Sequence, residues 1–406
     1  MRDRYAEYKD SGLEWIGEIP AHWKIGRLKN LFFLQRGHDL PLENFVDGTI
    51  PVYGSSGLMG YHNRKTSLAP NVLIGRSGSV GKLHYIEREF WAHNTGIYIN
   101  DTKGNCVKYL YYLLCIVDME DLSTKTAVPT LDRKKIQDCI MPYTQDKNEQ
   151  QSIADFLDES TSRIDTAIAN LQTQLSMLTR YKRELIAKCV TKGLDKSAPM
   201  KPSGEDWIGD VPEHWNITKL KWMFEIVKRI YGKEDRDVLA ITQHGIKRKD
   251  MESNKGQYAE SYGTYQVVNV NDFAMNSMDL LTGWVDCSRY EGVTSPDYRV
   301  FRFYEDKPQC HAYFTYLFQM CYTNRIFYRL GQGVSNLGRW RLQTDQFRNI
   351  KLPQPPVEEQ ERIAAYLDEK IRQIDAAVAD ITSQIQKLKD YRRILIHDAV
   401  TGKIKI

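Results

Sequence analysis

The chain is written twice. Ser11-Gly-Leu-Glu-Trp-Ile-Gly-Glu-Ile-Pro-Ala-His-Trp23 returns as Ser203-Gly-Glu-Asp-Trp-Ile-Gly-Asp-Val-Pro-Glu-His-Trp215, displaced by 192 residues (203 against 11). Glu149-Gln-Gln-Ser-Ile-Ala-Asp-Phe-Leu-Asp-Glu159 returns as Glu359-Gln-Glu-Arg-Ile-Ala-Ala-Tyr-Leu-Asp-Glu369, displaced by 210 (359 against 149). Two matches in the same order mean a tandem duplication. Each unit is an opening motif, a block of roughly 120–140 residues, and a long helix.

The helices are the most legible part. Leu157, Ile164, Leu171, Leu178 and Leu185 recur every seven residues, with Ile168 and Leu175 on the alternate seam. Leu367, Ile374, Ile381, Leu388 and Leu395 do the same, with Ile371, Val378 and Ile385 between them. This spacing predicts a coiled coil, and a helix over residues 149–192 would be about 65 Å long. Each helix is acidic first and basic last: Glu149, Asp155, Asp158, Glu159 and Asp165 precede Arg180, Lys182, Arg183, Lys188 and Lys192. That order complements the helix dipole, and it also favours antiparallel pairing, in which each basic end meets an acidic one.

The two intervening blocks do not resemble each other in sequence. Both read as mixed α/β, with strands at 71–74, 96–99, 266–270 and 298–303 and helices at 109–117 and 313–322. Each block closes in a strand and a proline, Cys139-Ile-Met-Pro142 and Ile350-Lys-Leu-Pro353, ahead of its long helix. The expected organisation is a first head over residues 1–145, a central helix over 146–200, a second head over 201–356 and a last helix over 357–406. The fold class is α+β.

Composition narrows the function. With 56 basic and 52 acidic residues the net charge is only +4, which by itself argues for no partner. Local charge says more: Arg64, Lys65, Arg76, Lys82 and Arg88 crowd residues 61–88, and five arginines crowd 325–348. Seven scattered cysteines without a Cys-x-x-Cys pair suggest reduced thiols and a cytoplasmic protein without structural zinc. The first ten residues do not read as a signal peptide, and no apolar run approaches the ~20 residues of a membrane span.

Val72-Leu-Ile-Gly-Arg-Ser-Gly-Ser-Val-Gly-Lys-Leu-His-Tyr85 imitates a phosphate loop. The imitation fails: Gly75 stands six positions before Gly81, and Leu83 follows Lys82 where a magnesium-binding Ser or Thr is needed. The Pro-Pro pair, in Gln354-Pro-Pro-Val357, stands at a helix start and lacks the Asn/Asp-Pro-Pro-aromatic form of a base-flipping methyltransferase. Pro296-Asp297 and Glu305-Asp-Lys307 echo a metal nuclease, but the apolar strand between them reads as a strand ending in a turn.

A rod carrying an α/β head near each end suits duplex DNA. Two-part readers space their half-sites about 34 Å apart, or at multiples of that, and two unlike heads would read a bipartite, non-palindromic target. The other reading is a coiled-coil adaptor whose heads bind proteins. Salt separates them, because DNA affinity falls with log salt in proportion to the phosphates contacted.

The paired Trp15-to-Trp23 and Trp207-to-Trp215 motifs, the two Glu-Gln-x-x-Ile-Ala-x-x-Leu-Asp-Glu helix openings, and Tyr391-Arg-Arg-Ile-Leu-Ile-His-Asp-Ala-Val-Thr-Gly-Lys403 resemble the specificity (S, HsdS) subunits of type I restriction–modification systems over nearly the whole chain. The resemblance implies two target recognition domains joined by two long helices in an antiparallel coiled coil, with a pseudo-two-fold internal repeat. Each domain would read one half of a split double-stranded DNA target. The helices would dock two modification (M) subunits, which use S-adenosylmethionine to methylate adenine N6. Restriction (R) subunits would join, using ATP and Mg. The chain itself would be non-catalytic and bind none of these cofactors.

Residues 75–82 resemble the glycine-rich turns of such domains. Lys65, Arg76, Ser77, Ser79, Lys82 and Asn94 are then the candidate DNA contacts of the first head, cations and hydroxyls for phosphates, Arg and Asn also for base edges. In the second head the candidates are Gln243, His244, Lys247 and Arg248 on one loop, and Ser335, Asn336, Arg339 and Arg341 within residues 331–341. Residues 275–284 are a further loop, half of it expected to pack, and Trp340 is expected in the core. Trp15, Trp23, Trp207 and Trp215 are expected to anchor each unit against the helices.

Overall fold

The computed structural model describes residues 4–233, 235–250, 261–307, 309–333 and 340–406. The chain forms two units, Met1–Gln172 with Thr382–Ile406, and Thr173–Ile381. The boundaries fall inside the long helices, so each unit holds the start of one helix and the end of the other.

The heads share a topology that their sequences hide. In the first unit a four-stranded antiparallel sheet has the order Phe33–Arg36, Gly96–Asp101, Asn71–Gly75, Leu83–Ile86. In the second the order is Phe224–Val227, Arg299–Phe303, Phe273–Met275, Val285–Cys287, with the same chain connections. A hairpin interrupts each sheet at the same point: Ile50–Gly54 with Gly57–His62, and Leu239–Thr242 with Gly245–Arg248. A helix then covers the sheet, Val107–Cys115 in one unit and His311–Thr323 in the other. The closing strands, Ile140–Tyr143 and Lys351–Gln354, pair with Lys24–Arg27 and Asn216–Lys219. The strands and helices expected from sequence are present, the strand at 266–270 shortened to Gln266–Val268.

The long helices run Lys147–Lys192 and Val357–Val400, the first about 69 Å long. Leu157, Ile164, Leu367, Ile374 and Leu395 are buried, while Leu171, Leu178, Leu185, Ile381 and Leu388 are half-buried on the same seam. In the first unit Asp165 takes both Nε and Nη2 of Arg392, at 3.0 and 3.3 Å. The start of the central helix there meets Gly402 through Trp23. In the second unit Lys182 Nζ lies 2.6 Å from Asp375, and Gly193 faces Glu359. Both patterns require antiparallel helices, as the charge order predicts. No helix among the described residues is long and apolar enough to cross a membrane.

One buried node joins head to helix in each unit. Trp23 is fully buried, and its Nε1 donates to Glu149 Oε1 at 3.0 Å; the Tyr5 hydroxyl donates to the same oxygen at 2.7 Å. The next residue, Gln150, is also fully buried. Its amide donates to Asn105 Oδ1 and the Thr144 carbonyl, both at 2.9 Å, and accepts the Cys106 N–H at 3.0 Å. The second unit repeats this. Trp215 Nε1 donates to Glu359 Oε2 at 3.0 Å, and Gln360 bonds Gln309, the Pro355 carbonyl and the Cys310 N–H. The helix that arrives ends at a left-handed glycine, Gly402 or Gly193, packed beside the tryptophan. The first tryptophan of each motif behaves otherwise. Trp15 is 51% exposed, its ring tilted against His397, whereas Trp207 is half-buried and packs on the core of its unit, so the anchoring expected of all four holds fully for Trp23 and Trp215, partly for Trp207 and not for Trp15. An exposed indole gains little from burial, whereas the second one has both a pocket and a hydrogen-bond acceptor.

Gln150→Leu removes the side-chain partner of the Cys106 N–H and of the Thr144 carbonyl, while Asn105 keeps Lys147, Leu31 and Thr102, and the change is expected to cost about 2–4 kcal/mol in urea unfolding. Burial pushes the Glu149 carboxyl up, but hydrogen bonds from Thr144, Tyr5, Trp23 and His22 outweigh it and hold the carboxyl below the usual glutamate value. A depressed carboxylate stabilises the fold above its unfolded pKa, and that contribution disappears as pH falls through the folded value. Urea midpoints followed through the carboxylate range should therefore drop less steeply with acid in Glu149→Gln than in the parent.

Candidate nucleic-acid interface

The Gly75–Lys82 loop owes its glycines to geometry. A Cβ on Gly75 would lie 1.9 Å from the Ser79 carbonyl oxygen, and Gly78 and Gly81 have φ of +83° and +76°. The N–H groups of Gly75, Arg76, Ser77, Gly81 and Lys82 all donate to the protein's own carbonyls, so both arms of the loop are tied into the fold and do not offer these groups to a phosphate. Arg76 is pinned from both sides: its N–H donates to Thr95 O at 2.7 Å, and its carbonyl accepts the Leu131 N–H at 2.9 Å. Among the described residues its half-buried guanidinium forms no ion pair.

Three other segments meet this loop. Lys82 Nζ donates to the Ser56 carbonyl at 3.0 Å, the His84 ring lies 3.0 Å from Ser55 O, and Ser55 N–H donates to Thr95 Oγ1. Ser77 bridges Thr130. The hairpin turn at 55–56, the 75–82 loop, residues 93–95 and residues 124–131 thus form one cluster. Ser79 lies in the turn, where its carbonyl accepts the Lys82 N–H. Asn94 is engaged by Asp39, which also pairs with Arg36 at 3.2 Å. Lys65 pairs with Glu89 at 2.5 Å, beside residues 66–67 where they bond Phe90.

In the second head the counterpart of loop 75–82 is residues 276–284. It links the same two strands, and Asn276 N–H donates to Trp284 O as Gly75 N–H does to Lys82 O. The stretch that leads into Leu342 corresponds instead to the one that leads into Leu131. Leu342 N–H donates to Ser277 O just as Leu131 N–H does to Arg76 O. Each head therefore brings both loop types together. Ser277 and Leu280 are buried, so half of the 276–284 loop packs, as expected. Asp279 accepts the N–H groups of Leu281 and Thr282 at 3.0 Å, which holds the rest open.

Arg341 is exposed, with Nε against Met278. Trp340 is only half-buried, tilted on Tyr328 at 4.8 Å. Ser335, Asn336 and Arg339 lie outside the described residues. Buried Arg299, its guanidinium pulled down to about 10 by desolvation, donates to Leu342 O at 2.9 Å and fixes the end of this segment. Gln243 reaches Thr282 O at 3.3 Å, joining the hairpin to the loop; His244 and Lys247 are exposed, and Arg248 pairs with Asp237 at 3.1 Å. Residues 55–59 and 124–130 escaped sequence reading, because neither combines glycines with arginines.

The nuclease echo dissolves. Asp297 and Glu305 lie beyond opposite ends of the strand Arg299–Phe303, Glu305 is held by Arg302, and Lys307 donates to the Trp222 carbonyl. Among the described residues no group of three His, Cys, Asp or Glu is placed to hold a metal ion. Gly75→Ala forces the Ser79 carbonyl to move and is expected to lower stability in urea by roughly 2 kcal/mol, against about 1 kcal/mol for Gly78→Ala, whose Cβ meets only the Ser55 hydroxyl.

Comparison with known proteins names the architecture. The family model for the type I restriction modification DNA specificity domain matches residues 20–176 and again 212–387. The chain is 22% identical over 317 residues to the type I restriction enzyme MjaVIII specificity subunit of Methanocaldococcus jannaschii, covering 73% of this chain and 70% of that one. A chain solved in work on complex assembly and conformational transition of the type I R-M system superposes with a TM-score of 0.67, at 12% identity, over 95% of this chain and 99% of that one. The HsdS subunit from Thermoanaerobacter tengcongensis gives 0.51 at 12% identity, over 97% and 100%. The chain therefore belongs to the type I restriction–modification specificity subunits, which recognise DNA sequence through two such domains.

Proposed function

We propose that each head reads one half of a bipartite, asymmetric DNA target. The observation that carries this is that two heads of one topology cluster the same set of loops but place different side chains on them: Arg76, Ser77, Ser79 and Lys82 on the strand-linking loop of the first, Gln243, His244, Lys247 and Arg248 on the hairpin and Arg341 beside the strand-linking loop of the second. Lys82 and Lys247 are assigned to phosphates. Arg76, pinned along its backbone and free of an ion pair among the described residues, is assigned to a base edge. Lys65 and Asn94, already engaged by Glu89 and Asp39, take a supporting role at the edge of the interface.

The long helices are assigned to docking two modification subunits, one on each unit. Tyr181 and Tyr391 occupy equivalent positions of the repeat and are both exposed, next to exposed Met177 in one unit and Ile394 in the other. Exposed aromatics at repeat-related positions suit two copies of one partner. The chain itself is taken as non-catalytic and cytoplasmic. S-adenosylmethionine, ATP and Mg belong on this reading to the modification and restriction subunits.

The test is a methylome. Co-expressed with its modification subunit in a methylation-free bacterium, the chain should produce N6-methyladenine at a split motif that vanishes when the chain is omitted. Arg76→Ala should relax or abolish the first half alone, and Arg341→Ala the second alone. A complex that assembles yet leaves no motif would sink this reading.

A further inference from the structure

We infer that the hairpin turn at residues 55–59 is a base reader of the first half-site, in which Leu58 and Met59 contact a thymine methyl group. This rests on the reading of the heads as DNA recognition domains and adds the chemistry of one contact.

Position is the first argument. This hairpin corresponds in topology to the one that carries Gln243, His244 and Lys247 in the second head. It is joined to the candidate loop through Lys82 on Ser56 O and His84 on Ser55 O. The second argument is construction. Val52 faces Gly60 and Tyr53 faces Leu58, so Met59 is an extra residue, a β-bulge, and a bulge re-aims side chains beside functional sites. It turns two consecutive apolar side chains outward: Leu58 is 49% and Met59 39% exposed, with Tyr61 at 45% further along the strand. Glycines clear the space. A Cβ on Gly54 would lie 2.5 Å from Met59 Sδ, and Gly57 has φ of +125°.

The third argument is what such a surface suits. Gly57–His62 is the outer strand of its sheet, and an exposed apolar edge is a liability unless something covers it. Cations flank it: Lys82 at the tip, and Arg88 over the Tyr61 ring at 5.9 Å. Cations beside an apolar tip match the major groove, where phosphates border base edges and the thymine C5-methyl is the apolar group on display. The equivalent hairpin of the second head carries Lys247 and Arg248 instead, so the two heads would read different edges with one frame.

The test uses the full chain in complex with its modification subunits, on duplexes carrying the mapped target, with each first-half thymine replaced in turn by deoxyuridine. One replacement should weaken binding about fourfold, the equivalent of one buried methyl. The double variant Leu58→Asn, Met59→Asn should bind the thymine and uracil duplexes equally, while Met59→Leu keeps the discrimination and controls for folding. Replacements in the second half should affect parent and variants alike. A parent indifferent to every first-half replacement, or a first half without thymine, overturns the inference. So does a double variant that keeps the thymine preference but no longer assembles with the modification subunits, which would give the surface to a protein. A parent that selects no sequence at all refutes the underlying reading, and this inference with it.

Discussion

Everything else in each unit hangs from a carboxylate and an amide at the start of a long helix. Glu149 and Glu359 sit in the first turn, where the helix dipole favours negative charge, and each accepts the indole N–H of the buried tryptophan that closes its opening motif. The adjacent Gln150 and Gln360 accept the N–H that begins the head helix and donate to the segment leading into the long one. Two helix starts and one tight turn are thus fixed by two neighbouring side chains. A buried amide with every bond made specifies geometry in a way that apolar packing alone does not.

That node explains which parts of the duplication stayed alike. Residues that bond within it cannot change singly without stranding a buried partner, so the Trp and Glu-Gln positions match between the halves. The heads are under a looser constraint. Their sheets need only apolar residues at buried positions, and the loops between strands are free to carry any chemistry the backbone bonds permit. Val72, Ile74 and Ile97 in one head and Phe273, Met275 and Phe301 in the other fill the same layer with different volumes.

What could be read from the sequence follows the same division. The helices, their seam and their antiparallel pairing were legible, because heptads and charge order repeat over six turns and more. The opposed pairs Asp165–Arg392 and Lys182–Asp375 are what that charge order predicts. The heads were legible only in pieces. Strands of three to six residues carry too little periodicity to show which is next to which. The candidate loop at 75–82 announced itself by glycine and charge, but its true counterpart at 276–284 holds one glycine and no cation, and its register became visible only through the Asn276–Trp284 bond. The apolar turn at 58–59 was silent for a related reason: nothing in a leucine and a methionine says that they face outward. A bulge does, and bulges are made by pairing.

The unit that packs is not the unit that repeats. The sequence repeat runs from opening motif to helix end, whereas each compact body takes the start of its own helix and the end of the other. Trp23 lies against Gly402 and Glu149, and Trp215 against Gly193 and Glu359. Asp165–Arg392 and Lys182–Asp375 are consequently one interaction in the coordinates of the repeat, each member displaced by 210 residues and the partners exchanged (375 against 165, 392 against 182). An isolated repeat would carry a tryptophan pocket with only one of its two walls, and half of a seam exposed. Burial of that seam, and not the chemistry of either head, is what makes the second copy necessary.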